Sequence, residues 1–224
     1  MKQLLLAAIL TTQLTGMLTA DQTTGVPVTE IEGLADVNTN QWAISKQQMA
    51  AIMQRPVSEI TNEQMDDFTR MVDTFNLDQI NIAYLLGQAG HESDGLVHAV
   101  EINPGHKYEW RRDIGNVHAG DGVRYAGGGY IQISGRTNYT GFYNYMKSKG
   151  IDDYKIVSVG KHHVAKHYPW SSAGWWWMKN NMISYCKTRP SIDAVGAKVN
   201  GRYLPNGAQE RRSYTMRAFN ILGV

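Results

Sequence analysis

Residues 77–93 read LDQINIAYLLGQAGHES. Apolar side chains fall on every side of this run at helical spacing, so the helix it predicts is buried all round rather than laid on a surface. A buried helix needs a shell, and the flanking sequence supplies one. Upstream, SKQQMAAIM (45–53) opens on a serine suited to capping, and TNEQMDDFTRMVDTFN (61–76) sets Met65, Phe68, Met71, Val72 and Phe75 on one face. Downstream, NYTGFYNYMKSKG (138–150), WSSAGWWWMKNN (170–181), SIDAVGAKVN (191–200) and NGAQERRSYTMRAFNIL (206–222) read as further helices. The segment between them differs. GDGVRYAGGGYIQISG (120–135) alternates, with Val123, Tyr125, Tyr130, Ile131 and Ile133 as strand residues and glycines that permit a hairpin or a close backbone approach. The fold class expected is α+β, predominantly α-helical, with a small antiparallel sheet.

The chain has 224 residues, 42% hydrophobic and 19% charged, which reads as globular. A formal charge of +2, with lysines and arginines dispersed, gives no case for nucleic acid and only a mild preference for an anionic polymer. The single cysteine, Cys186, excludes an intrachain disulfide, so the core must hold the fold. Residues 1–42 form an N-terminal extension. MKQLLLAAIL followed by small residues to Ala20 suits a secretory signal or a docking helix, and residues 21–40 suit a linker. The polar Thr and Gln residues from Thr11 onward argue against a membrane span. Residues 43–224 form the main domain.

The buried helix is expected to stop close to Gly95; near its C-terminal end stands a carboxylate, Glu92, and a second one, Glu101, follows nine positions later in HESDGLVHAVEIN (91–103). Glycosidic cleavage uses a protonated carboxylic acid at the leaving oxygen and a second carboxylate on the other side of the sugar. The C-terminal end of an apolar helix disfavours the ionised form, which suits Glu92 to the acid role. A turn at Asp94-Gly95 would let Glu101 face it. Spacing alone does not separate this pair from two solvated charges.

Four stretches in fixed order change that balance: HESDGLVHAVEIN, RYAGGGYIQISGRTNY, SAGWWW and VNGR…NGAQERRSY. Together they resemble glycoside hydrolase family 19, and YEWRRDIGNVHAGDGVRYAGGGYIQISGRTNY (108–139) is similar to the phage endolysin branch of that family. The resemblance covers residues 43–224 and implies a lysozyme-like domain whose small sheet lines the cleft. It implies that Glu92 is the general acid, that Glu101 is the general base and that Ser134 holds the attacking water. Gln132 and Asn138 are placed at the substrate, and Asn200 and Arg211 near the catalytic centre, where a cationic Arg211 would keep the base ionised. The implied function is inverting cleavage of β-1,4 bonds between N-acetylhexosamines in peptidoglycan. A chitinase of the same family and a non-catalytic wall-binding or virion module are the alternatives. No cofactor is implied. The implied partner is a peptidoglycan or chitin-like polysaccharide, with a virion partner through residues 1–42 also open. The implied place of action is the bacterial cell wall or periplasm. Departures from the family pattern are Gly127-Gly128-Gly129 where Gly-Arg-Gly is common, and Arg202 in place of a second glycine after Asn200. Leu204 stands where plant chitinases carry a glutamate.

Competing readings surround these residues. Glu109 rivals Glu101 as second carboxylate but is expected to pair with Arg111 or Arg112, and Asp113 and Asp121 are expected in turns. His91 either orients the cleft or is a satisfied core histidine. His91-Glu92 lacks the second histidine of a zinc protease, since position 95 is glycine. His163 and His167 share a helical face, which suits a surface pair better than a metal site. Trp175 and Trp176 are expected in the core, whereas Tyr125 and Tyr130 are expected to line the groove.

Overall fold

The computed structural model describes residues 42–224, so the extension read above as signal or docking segment lies outside the described residues except for Trp42. The helices are α1 (Lys46–Met53), α2 (Asn62–Phe75), α3 (Gln79–Glu92), α4 (Asp121–Arg124), α5 (Arg136–Ser148), α6 (Lys155–Ser158), α7 (Lys161–His167), α8 (Pro169–Lys179), α9 (Met182–Lys187), α10 (Ile192–Asn200) and α11 (Ala208–Leu222). Their starts follow local chemistry. Ser45 and Thr61 each close a capping box with the glutamine three residues on, Gln48 and Gln64. Asp78 caps α3 by accepting from the Asn81 backbone N–H at 3.1 Å. No helix among the described residues is long and apolar enough to cross a membrane.

Helix α3 is the centre of the core, with Ile82, Ala83, Leu85, Leu86 and Ala89 fully buried. Full burial of each leucine or isoleucine contributes about 1.5–3 kcal/mol before chain entropy is counted. Its one buried polar residue in the first turn, Asn81, is fully bonded. It donates to Asp78 (2.7 Å) and the Ile183 carbonyl (3.1 Å), and accepts from Trp177 Nε1 (2.9 Å). Helix α11 lies directly on α3, and two glycines make that possible. A Cβ on Gly87 would stand 2.7 Å from Thr215 Cα and nearer still to Thr215 Oγ1, and one on Gly90 would stand 2.7 Å from the Tyr214 ring.

On the other side, α2 meets α8 through Asp67, which is buried. Its carboxylate accepts the N–H groups of Trp170 (2.7 Å) and Ser171 (3.1 Å) at the start of α8, the Ser171 hydroxyl, and Arg70 Nη1 (2.8 Å). Burial nonetheless pushes its pKa up to about 6, against those donors. Trp170, Trp175 and Trp177 are buried, and Trp176 packs on the core at its edge.

The small antiparallel sheet expected over 120–135 is not formed. Residues 121–124 make the short helix α4, and only two isolated antiparallel bridges follow, Val100 with Gly128 and Gly128 with Ile133. The reason is backbone geometry: Gly129 (φ 80°) turns the chain beside Gly128 and Gln132 (φ 58°) beside Ile133, so no ladder extends. The class is therefore helical with a bridged loop. Tyr125 and Tyr130 are corrected with it. Neither lines a groove: both rings are buried, with the Tyr125 hydroxyl donating to the Val157 carbonyl (2.9 Å) and the Tyr130 hydroxyl accepting from Gln64 Nε2 (2.7 Å).

Candidate active site

Glu92 is the last residue of α3, and its carboxylate pairs with Arg211 of α11. Arg211 is 1% exposed. Its Nη2 meets Glu92, its Nη1 donates to Gln88 Oε1 (2.7 Å) and its Nε donates to the Asn206 carbonyl (2.9 Å). The close crossing at Gly87 delivers this contact, because Arg211 lies one turn before Thr215 and Gln88 follows Gly87. Two expectations change here. The arginine sits on Glu92 and not on Glu101, since α11 crosses α3 and not the loop beyond it. Glu92 accordingly ends against a guanidinium and not in an apolar pocket.

Asn200 joins the same cluster. Its Oδ1 accepts from the Asn206 N–H (3.2 Å), which fixes the loop whose carbonyl holds Arg211. His91 points to the start of α11. Its Nδ1 is 2.6 Å from Glu210 Oε2, and its ring packs so tightly over Gly207 that a Cβ there would collide with it. It clamps the two helices together next to Glu92.

The chain leaves α3 through a turn in which Gly95 N–H donates to the Gly90 carbonyl (2.8 Å) and Leu96 N–H to Ser93 Oγ (2.9 Å). It then bridges to the glycine-rich loop, and there Glu101 is built. Its N–H donates to the Gly127 carbonyl (2.9 Å), and its carboxylate accepts from Gly127 N–H (3.0 Å), the Tyr108 hydroxyl (3.2 Å) and Lys107 Nζ (2.9 Å). Partial burial pushes the Glu101 pKa up, but Lys107, Gly127 and Tyr108 together outweigh it and hold the carboxyl below its ordinary value. Such a group is ionised near neutrality.

Gln132 packs against the same Gly127 backbone as Glu101. Its Oε1 and the Glu101 Cβ are both close enough to Gly127 to leave no space for a side chain there, the latter at 3.1 Å. Ser134 follows, its hydroxyl donating to the Gln132 carbonyl (3.2 Å) and its own carbonyl accepting from Asn138 Nδ2 (2.8 Å). Asn138 Oδ1 accepts from Lys179 Nζ (2.6 Å). The predicted residues thus assemble as two polar clusters joined by residues 93–100. One holds Glu92, Arg211, Asn200 and His91; the other holds Glu101, Gln132, Ser134 and Asn138. Position 128, where the resemblance led one to expect an arginine, has no space for one. A Cβ there would lie 3.1 Å from Lys161 Cα and closer to the Tyr139 hydroxyl.

Sequence reasoning missed Lys107, Tyr108, Gln88 and Asn206. Only Gln88 carried a signal, its position four residues before Glu92 on one helical face. The rivals resolve otherwise. Glu109 does not pair with Arg111 or Arg112; it accepts the N–H groups of Gly120 (2.6 Å) and Gly122 (2.7 Å), while Arg111 pairs with Asp113 (2.7 Å). Asp121 is not in a turn: it opens α4, is buried and accepts from Arg136 Nε (2.9 Å). His163 bonds to Asp153 (2.6 Å) and lies 4.6 Å from the His167 ring.

No family model matches the chain. Solved structures of similar fold include chitinase C from Streptomyces griseus, at 19% identity and TM-score 0.62, covering 84% of this chain and 96% of that one. A family GH19 class IV chitinase from Zea mays matches at 19% identity and TM-score 0.62, covering 81% and 94%. A bacterial family 19 chitinase matches at 18% identity and TM-score 0.60, covering 82% and 96%. At these identities the likeness is one of architecture, and it agrees with the resemblance read from the four motifs: the chain has the fold of the family 19 chitinases.

Proposed function

We propose that the chain is a glycoside hydrolase cleaving β-1,4 bonds between N-acetylhexosamines by an inverting acid/base route. The observation that carries this reading is the setting of Glu101. It is a partly buried carboxylate kept ionised by a lysine, a backbone N–H and a tyrosine hydroxyl, with Gln132 against the same Gly127 backbone and Ser134 two residues further on. A general base needs that charge state. In this mechanism Glu101 takes a proton from a water held by Ser134, and the water attacks the anomeric carbon. Glu92 gives its proton to the departing bridging oxygen on the opposite face. An inverting pair stands about 6.5–9.5 Å apart to admit the water.

Peptidoglycan is the favoured substrate, because residues 108–139 resemble the phage endolysin branch, and the bacterial cell wall is then the place of action. Residues 1–42 would serve as an export signal or as a virion attachment device. Chitin is the second reading, favoured because the solved structures that share the fold are chitinases.

The test offers purified peptidoglycan and chitin oligomers to the protein and identifies the products by mass spectrometry. New sugar reducing ends are expected, from peptidoglycan above chitin. Glu92→Gln should abolish them with an unchanged circular dichroism spectrum. Release of peptides without new reducing ends, or undiminished turnover by Glu92→Gln, would overturn the reading.

A further inference from the structure

Arg211 is a buried cation with three kinds of acceptor: the Asn206 carbonyl, the neutral Gln88 amide and the Glu92 carboxylate. Gln88 and Glu92 are four residues apart on α3, so both reach the guanidinium from one helical face. The Gln88 amide is fully buried, and its Nε2 meets no acceptor among the described residues. Leaving a buried donor unpaired is costly. Turning the amide over would be worse, because it would set N–H groups against a guanidinium that has only donors. The orientation of Gln88 is thus dictated by Arg211.

We propose that Gln88 is a positioning residue for Glu92, acting through Arg211, an inference that rests on the reading of Glu92 as the acid. While Glu92 carries a proton, Arg211 loses its anionic partner and must remain charged inside the protein, which is tolerable only if its N–H groups keep acceptors. Gln88 and Asn206 supply them without adding charge. The side chain at 88 therefore sets how strongly the guanidinium depends on an ionised Glu92.

Most charged groups on the packed elements have partners away from Glu92, with Lys198 of α10 over the Tyr185 ring. His91 pairs with Glu210 of α11, Arg212 of α11 with Asp193 of α10, and Arg55 beyond α1 with Glu59. Arg217 donates to the Ile52 carbonyl and stacks on Tyr214. Asp94 is exposed in the turn after α3.

The alkaline limb of kcat/KM reports loss of the proton from the acid. Gln88→Leu removes the neutral acceptor, makes Arg211 favour an ionised Glu92, and should move that limb to lower pH. Gln88→Glu adds a second anion beside Glu92 and should move it to higher pH, each by on the order of one pH unit. A merely structural role would lower activity in both variants and leave the limb in place. The experiment records pH–rate profiles on peptidoglycan oligosaccharides for wild type and both variants, with thermal denaturation to confirm folding. Displacement to opposite sides of wild type is the expected result. Limbs that stay put, or that move the same way, overturn the proposal while the glycosidase reading stands. If Gln88→Leu does not fold, the direction taken by Gln88→Glu decides alone. A wild type that releases no sugar reducing ends sinks the glycosidase reading and this proposal with it.

Discussion

Replacing Lys107 by methionine tests the base assignment without touching the base. The lysine Nζ lies 2.9 Å from Glu101 Oε1, but its side chain is 56% exposed, against 18% for Glu101. An ion pair with so exposed a partner is worth about 0.2–1 kcal/mol. One pH unit corresponds to about 1.36 kcal/mol, so the acid limb of the pH–rate profile should rise by about 0.15–0.7 unit. The sign follows from the charge state required. A base works ionised, activity falls as pH drops through its titration, and removing a group that holds the pKa down moves that fall to higher pH. The shift is bounded because Gly127 N–H and the Tyr108 hydroxyl stay in place. Methionine keeps an unbranched apolar side chain of similar length while removing the ammonium that lies 4.7 Å from the Tyr108 ring centroid, so the loop should survive. Added salt should move the wild-type limb the same way and the variant's less, since screening acts on the exposed pair. The assay is kcat/KM against pH on peptidoglycan oligosaccharides at low and high ionic strength. A limb that stays fixed, or moves down, would refute the placement of the base at Glu101.

Gly87→Ala should destabilise the domain by about 1–3 kcal/mol, as overpacking does, and lower Tm by several degrees. Thr215→Ala should rescue this only in part in thermal denaturation, because Thr215 Cα would still lie 2.7 Å from the new methyl. Asp67→Ala should cost about 1–3 kcal/mol by denaturant unfolding, since the buried N–H groups of Trp170 and Ser171 lose their acceptor. Asp67 also shapes the pH dependence of stability. Its pKa is raised from 3.8 to about 6 on folding, so its favourable contribution is full below the lower value and lost as pH rises through the upper one. Asp67→Asn should flatten Tm against pH across that window.

The parts of the fold legible in sequence were those written locally. Ser45 announces α1 through the amide it caps, and the face of Phe68, Met71, Val72 and Phe75 is the one that α2 buries. The loop at 120–135 misled for a physical reason. Alternation there reflects aromatic residues entering the core from a turning backbone, and the left-handed Gln132 cannot be read from composition. Tyr125 and Tyr130 were misplaced by the same error. The two carboxylates and Arg211 stood out as motif residues, but which carboxylate the arginine meets did not. Arg211 reaches Glu92 across 119 positions, and nothing near Lys107 marks it as a neighbour of Glu101. One clue was present: glycines at 87 and 90, three apart on a helix apolar all round, mean that another backbone comes close.

That clue bears on function as well as packing. Glu92 is fixed by helix crossing: Gly87 and Gly90 bring α11 within reach, and the buried Arg211 then holds the carboxylate. Glu101 is fixed by a loop, through one backbone N–H and an exposed lysine. The two groups are therefore subject to different kinds of change. A substitution at Gly87 or Gly90 reaches Glu92 by shifting a packed helix, and so acts on stability and on that carboxylate together. A substitution around residues 107–108 can retune Glu101 with the core untouched. If the two carboxylates work as the proposed acid and base, this separation lets the charge state of Glu101 vary while the position of Glu92 stays fixed.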